Sequence, residues 1–269
     1  ALCSRPCKCC PPSMSMKDPM MPGQTTATGT MHVFPHREAL ITGLADWLLE
    51  RSLAKADTAP FRLALSGGST PQHLYALMAS APYVARFPWH NMQFFIGDDR
   101  FVPHDHADSN FGMMQRLLFS KAPILASNIF PMPDHGLAEE AAGAYEQTLK
   151  NLYGEQDFSP ERPFFDVQLL GIGTDGHTAS LFPGQPVLDN RSAWVASCVP
   201  PTAPHTRLTL TYPAIHSSQH VVFLVEGAAK RDILARIRAQ DPACPASAVT
   251  AQGELIWFTD QAAAPSGQE

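Results

Sequence analysis

Apolar residues recur along this chain in two rhythms, and the exchange between them organises residues 31–260. Between 36 and 54, Leu40, Ile41, Leu44, Trp47 and Leu48 fall at helical spacing on one face, which predicts an amphipathic helix. Short unbroken apolar runs follow a different rule. Residues 61–65, 93–96 and 165–170 are brief, β-prone and bounded by turn residues, as expected of strands buried on both faces. Further strands are predicted at 32–34, near 193–198, 206–211, 219–225 and 254–259. Helices are predicted from about Pro71 to Met78, from a cap at Ser109 or Asn110 to about Phe119, over 137–152 and over 228–239. Pro71 suits the first helical position, with Ser69 or Thr70 as the cap before it. The polar stretch 97–100 reads as a charged loop.

Strands alternating with helices predict an α/β class for residues 31–269: a single domain with a mostly parallel, doubly wound (Rossmann-like) sheet and helices on both faces. Such sheets bind ligands beyond the carboxyl ends of their strands. Residues 1–30 break the pattern. Their Pro, Ser, Met, Gly and Thr content reads as a disordered leader, and Met14, Met16, Met20, Met21 and Met31 each offer a later start, so the N-terminus reads as over-extended. A basic stretch followed by an apolar one is missing, which argues against a secretory signal. Four of the six cysteines (Cys3, Cys7, Cys9, Cys10) sit in this leader, without the second pair that a zinc ribbon needs. Only Cys198 and Cys244 lie in the body, which points to a reducing compartment and a cytoplasmic location.

Nineteen Lys and Arg against twenty-five Asp and Glu give a net charge of −6, so the chain lacks the basic footprint of a nucleic-acid binder. Apolar runs such as 220–225 stop far short of the ~20 residues that span a bilayer, and no membrane partner is expected. A small anion needs only a local pocket.

Three loops offer one. Ser66, Gly67, Gly68, Ser69 and Thr70 link a strand to a helix, so backbone N–H groups and hydroxyls can converge near a helix N-terminus as an anion site. Without a P-loop lysine at its proper spacing, this is no nucleotide P-loop, and the plain alternative is an ordinary turn. Residues 171–177 match G-x-G-x-x-G after a strand, but Asp175 would oppose a pyrophosphate and Pro183 with Gly184 interrupts any long helix. What remains is a turn presenting Asp175 and His177, a carboxylate that can hold an imidazole's tautomer for general-base work. Residues 98–103 with Ser109 and Asn110 mix opposite charges at a strand end, where a solvated salt-bridge loop is the plain reading. His104 and His106 are poorly spaced for a metal, and none is expected. Arg207 and Lys230 stand at element ends on the ligand side, where a cation complements an anion site.

Taken together, the blocks at 65–71, 98–103 with Ser109 and Asn110, 171–183, 207–211 and 227–230 resemble the 6-phosphogluconolactonase family within the glucosamine-6-phosphate isomerase group. The resemblance runs in order through about 32–260, and the third block is the most specific. It implies hydrolysis of 6-phospho-D-glucono-1,5-lactone to 6-phosphogluconate in the pentose phosphate pathway, without metal or organic cofactor. It places the phosphate on Ser66–Thr70 with Lys230 and Arg207, assigns proton removal from water to His177 oriented by Asp175, puts Arg100 and Asn110 on the sugar side, and counts Asp99 among the substrate-binding residues. Asp99 stands where many relatives carry Glu. The deaminase branch continues its His loop into Asn-Glu-Pro, whereas this chain has Leu181 and Phe182. A non-catalytic sugar-phosphate sensor is the remaining alternative, though such modules usually accompany a DNA-binding segment. The expected assembly is a monomer or weak homodimer.

Overall fold

The computed structural model describes residues 29–55 and 59–265. The leader and its cysteine cluster lie outside the described residues, apart from 29 and 30. Seven strands form one parallel sheet: β1 (Thr30–Phe34), β2 (Phe61–Leu65), β3 (Met92–Ile96), β5 (Ile129–Phe130), β6 (Phe165–Leu170), β9 (Ser218–Val225) and β10 (Glu254–Asp260). Their spatial order is β1-β10-β9-β6-β2-β3-β5, and every pairing is parallel. The order runs outward in one direction from β2 and in the other from β6. That makes the β2/β6 seam the topological switch point, where the first crossovers diverge and leave a crevice at the strand ends. The predicted α/β class holds.

Burial explains why these segments are strands. Leu63, Ala64 and Leu65 of β2, Phe94 to Ile96 of β3 and Val221 to Phe223 of β9 are solvent-inaccessible, as layers on both faces require. Phe95 stacks on Phe130 at 4.8 Å and Phe223 on Trp257 at 4.2 Å, so aromatic pairs tie neighbouring strands. Helix α1 (Arg37–Lys55) buries Leu40, Ile41, Leu44 and Leu48, the predicted stripe, and packs on α2 (Ser69–Met78) and β10.

The sequence reading is corrected in four places. Residues 98–100 are not a loop but a strand, β4 (Asp98–Arg100), and the segments near 193–198 and 206–211 are not in the main sheet. As β7 (Val195–Cys198) and β8 (Arg207–Leu210) they form an antiparallel sheet in the order β4-β8-β7. The chain changes sheet at Gly97: its N–H donates to the Leu65 carbonyl of the large sheet, while its carbonyl accepts from Leu210 of the small one. A Cβ there would crowd the Leu65 carbonyl and the Gln168 amide. Helix α2 starts at Ser69 after a Gly68 cap, two residues before Pro71, because Gly68 takes a φ of 104° that a side chain resists.

The third and fourth corrections concern helix type, the predicted extents being kept. Ser109 caps α3 (Asn110–Met114) by accepting from the Gly112 N–H at 3.0 Å, and a π turn (Gln115–Phe119) completes the predicted segment. The 228–239 helix divides into a 3-10 turn (Ala228–Lys230) and α6 (Arg231–Arg238). Helix α4 (Ala138–Tyr153) packs on β7 and β8, and the short α5 (Tyr212–His216) and β5 had no counterpart in the sequence reading. Among the described residues, no helix is long and apolar enough to cross a membrane.

Candidate active site

A cleft of about 230 Å³ opens at the carboxyl ends of β2 and β6, on the switch point, and this small volume suits a compact ligand. Its floor is the turn from β2 into α2. Tyr75, fully buried on α2, accepts from the Ser66 N–H at 3.0 Å and donates to the Ser66 carbonyl at 2.6 Å. Burial drives the phenol well above its ordinary value, so it stays a neutral donor. Tyr75 thus pins the root of the loop to the helix that the loop begins. Among the described residues no side chain caps α2, so its first N–H groups can serve an anion. Gly67 admits the Asn110 side chain, because a Cβ at that position would overlap Oδ1, Cγ and Nδ2 of Asn110.

The opposite wall comes from the turn after β6. His177 Nδ1 lies 2.6 Å from Asp175 Oδ1, and the His177 N–H donates to the same oxygen at 3.1 Å. Gly173 leaves room for the pair, since a Cβ there would collide with both side chains. Burial works to raise the Asp175 carboxyl, but the hydrogen bonds from the His177 backbone and ring prevail and hold it below the usual value. An ionised Asp175 fixes the proton on Nδ1 and leaves Nε2 with its lone pair, the form a general base requires. The His177 ring rests on Phe182 at 4.4 Å.

Cations flank the cleft. Arg207 is 7% exposed, and its Nε is buried with no hydrogen-bond partner among the described residues. Burial first and the neighbouring Arg100 second destabilise its charge, so an entering anion would meet a guanidinium short of a partner. Arg100 reaches across β4 to donate to the Asp108 carbonyl at 2.5 Å. Lys230 donates to the Ile172 carbonyl at 2.7 Å; burial lowers its ammonium, and Asp175 partly offsets this.

Ten of the predicted residues line the cleft: Ser66, Gly67, Gly68, Ser69, Thr70, Arg100, Asn110, His177, Arg207 and Lys230. Asp175 stands directly behind His177. Asp99 does not belong with them. Its buried carboxylate accepts from the N–H groups of Arg100, Asn110 and Phe111 at 2.7, 2.6 and 2.9 Å, organising the start of α3. Burial nevertheless raises its proton affinity above that of an ordinary carboxylate. Of this pair it is Asp98 that faces the cleft, accepting from Ser180 Oγ at 2.7 Å; Glu226 lines the cleft as well, and the sequence reading missed Asp98, Ser180 and Glu226. Alternation along a strand was the available signal: consecutive residues point to opposite sides. Cys198 donates to the Ser180 carbonyl at 3.2 Å; burial pushes its thiol up to about 12, which removes it as a nucleophile at neutral pH. His104 and His106 diverge, His104 Nε2 meeting the Met132 carbonyl at 2.8 Å.

Residues 35–257 match the family described as glucosamine-6-phosphate isomerases/6-phosphogluconolactonase. A 6-phosphogluconolactonase of Nostoc is 39% identical over 244 residues, covering 87% of this chain and 96% of that protein. The 6-phosphogluconolactonase of rat is 36% identical over 245 residues, covering 88% and 93%. Among solved structures, 6-phosphogluconolactonase from Leishmania guyanensis superposes with a TM-score of 0.79 at 27% identity, covering 90% of this chain and 99% of that one.

Proposed function

Because the chain belongs to the glucosamine-6-phosphate isomerase/6-phosphogluconolactonase family, we propose that it hydrolyses 6-phospho-D-glucono-1,5-lactone to 6-phosphogluconate, with His177 as the base that activates water. The observation that carries this reading is the 2.6 Å His177–Asp175 couple, on the same cleft as an uncapped helix start and a buried arginine with an unpartnered Nε.

The steps follow from these groups. The substrate phosphate enters against the first N–H groups of α2 and the hydroxyls of Ser69 and Thr70, with Arg207 and Lys230 supplying charge. The lactone carbonyl is thereby held toward His177. Nε2 takes a proton from water as the oxygen attacks the carbonyl carbon, while Asp175 stabilises the imidazolium that forms. Collapse of the tetrahedral intermediate breaks the bond to the ring oxygen, which leaves with the proton returned by His177. Arg100 and Asn110 frame the sugar, with Asp98 in the place first assigned to Asp99. Phe182 carries no proton, where a deaminase of this group would need a carboxylate two residues after its counterpart of Ser180.

The same reading makes this a cytoplasmic pentose phosphate enzyme acting as a monomer or weak homodimer. The test is hydrolysis of freshly prepared lactone, coupled to 6-phosphogluconate dehydrogenase and followed by NADPH against a no-enzyme blank. Expected are acceleration over the blank by the wild type, a fall of about 10²–10⁴-fold in kcat for His177→Ala, and retained affinity for 6-phosphogluconate. Turnover at the wild-type rate by the pure variant would remove His177 from the mechanism.

A further inference from the structure

At the outer lip of the cleft, the loop after β4 meets the loop before β8, and three side chains converge there that the lactone chemistry does not use. His205 Nε2 lies 2.9 Å from Asp108 Oδ2, and His106 Nδ1 lies 3.9 Å from the same oxygen. The three donor atoms all fall within 4.8 Å of one another. His106 Nδ1 accepts the Asp108 N–H at 3.0 Å, so this nitrogen carries no proton and holds the lone pair that a cation would take over. His205 enters from its own loop with a φ of 70°, a backbone conformation uncommon for a residue with a side chain. A salt bridge at a surface needs one imidazole and one carboxylate. Two imidazoles from separate loops on one carboxylate oxygen make the donor set of a borderline divalent cation.

We propose that His106, Asp108 and His205 bind a divalent cation of the zinc class, with the remaining coordination positions open to water. At ordinary Zn–N and Zn–O lengths the ligand atoms of a tetrahedral site stand about 3.3 Å apart. The 2.9 and 3.9 Å separations lie within about 0.6 Å of that spacing, and the two imidazole nitrogens, within 4.8 Å of each other, close by at most about 1.5 Å through rotation of partly exposed side chains. The Asp108 N–H would exchange its imidazole acceptor for water. Such a cation would clamp the lip of the cleft. Arg100 is anchored on the Asp108 carbonyl, and the Phe101 N–H donates to the carbonyl of Thr206, the neighbour of Arg207.

The test uses the full chain, stripped with a chelator and alkylated with iodoacetamide, because Cys3, Cys7, Cys9 and Cys10 offer a rival thiolate set. Zn²⁺ is titrated against a chromophoric competitor. Expected are one Zn²⁺ per alkylated chain, at least tenfold weaker binding for His205→Ala and for Asp108→Asn, and unchanged binding for His104→Ala. Stoichiometric binding that disappears on alkylation, or that survives unchanged in His205→Ala, would overturn the proposal. Thermal unfolding of the metal-free variants checks that they fold. Should one fail to fold, Co²⁺ on the alkylated wild type must produce paramagnetically shifted imidazole signals, and their absence would equally overturn it.

Discussion

Gly67→Ala probes how closely the turn from β2 into α2 and the start of α3 are fitted together. Gly67 has no left-handed φ to protect, so its replacement acts through space alone. The new Cβ overlaps the head of Asn110, which is 5% exposed and held by a 2.8 Å bond from Nδ2 to the Asp98 carbonyl. If Asn110 swings aside, that bond is lost and a buried carbonyl is stranded, at about 1–3 kcal/mol. If it stays, the turn must move instead, and overpacking of this kind costs about 1–3 kcal/mol. Either route gives roughly 2 kcal/mol, which lowers the melting temperature of a domain this size by about 4–8 °C. Asn110→Ala strands the same Asp98 carbonyl without any collision, at about 1–3 kcal/mol. The double variant lacks the collision, so it should be about as stable as Asn110→Ala, leaving a coupling near 2 kcal/mol in a double-mutant cycle. Calorimetric melting of the four proteins measures this. Strict additivity, or a Gly67→Ala protein that melts with the wild type, would refute the steric argument.

Three further outcomes follow from the site. Asp175→Asn presents an amide N–H₂ to Nδ1 and so favours the wrong tautomer; kcat should fall at least tenfold with KM little changed, and an unaltered kcat in the coupled assay would show that Asp175 does not orient the base. Lys230→Ala should weaken binding of 6-phosphogluconate by about 1.5–3 kcal/mol in titration calorimetry, and unchanged affinity would make Lys230 a surface charge. Burial lowers the Lys230 ammonium from its ordinary 10.5, and binding needs its charged form. Affinity should therefore decline, as pH rises, before an ordinary lysine titrates, and Lys230→Arg should flatten that decline.

Six of the seven strands of the large sheet were legible, most of them because they are nearly all apolar, while the two-residue β5 was too short to show. Phe61, Leu63, Ala64 and Leu65 announce β2 without help from the rest of the chain. The site loops were legible for the opposite reason: glycine, hydroxyl and acid residues cluster where strands end. The small sheet was not. Asp98, Asp99 and Arg100 carry no hydropathic sign of a strand, and they become one only by pairing with Thr209, Leu208 and Arg207, more than a hundred residues away. The choice between Asp98 and Asp99 depended on that hidden pairing, which decides which carboxylate turns inward. The start of α2 was misplaced because Gly68 caps through its backbone, while Ser69 and Thr70 looked the better caps by side chain. The grouping of His106 with His205 joins two loops and has no local signature.

The switch of sheets at Gly97 makes length, more than identity, the constrained property of the segment that follows. Within a few residues the chain must place one acid in the cleft, turn the next toward the first N–H groups of α3, and deliver Arg100 opposite Arg207. Substitutions there change one contact each. Deleting or inserting a single residue between Gly97 and Arg100 would invert the facing of every side chain in β4, carrying Asp98 away from the cleft and Asp99 away from α3 together. In a library of variants of this protein, that stretch should tolerate exchanges of residue while admitting almost no change of length.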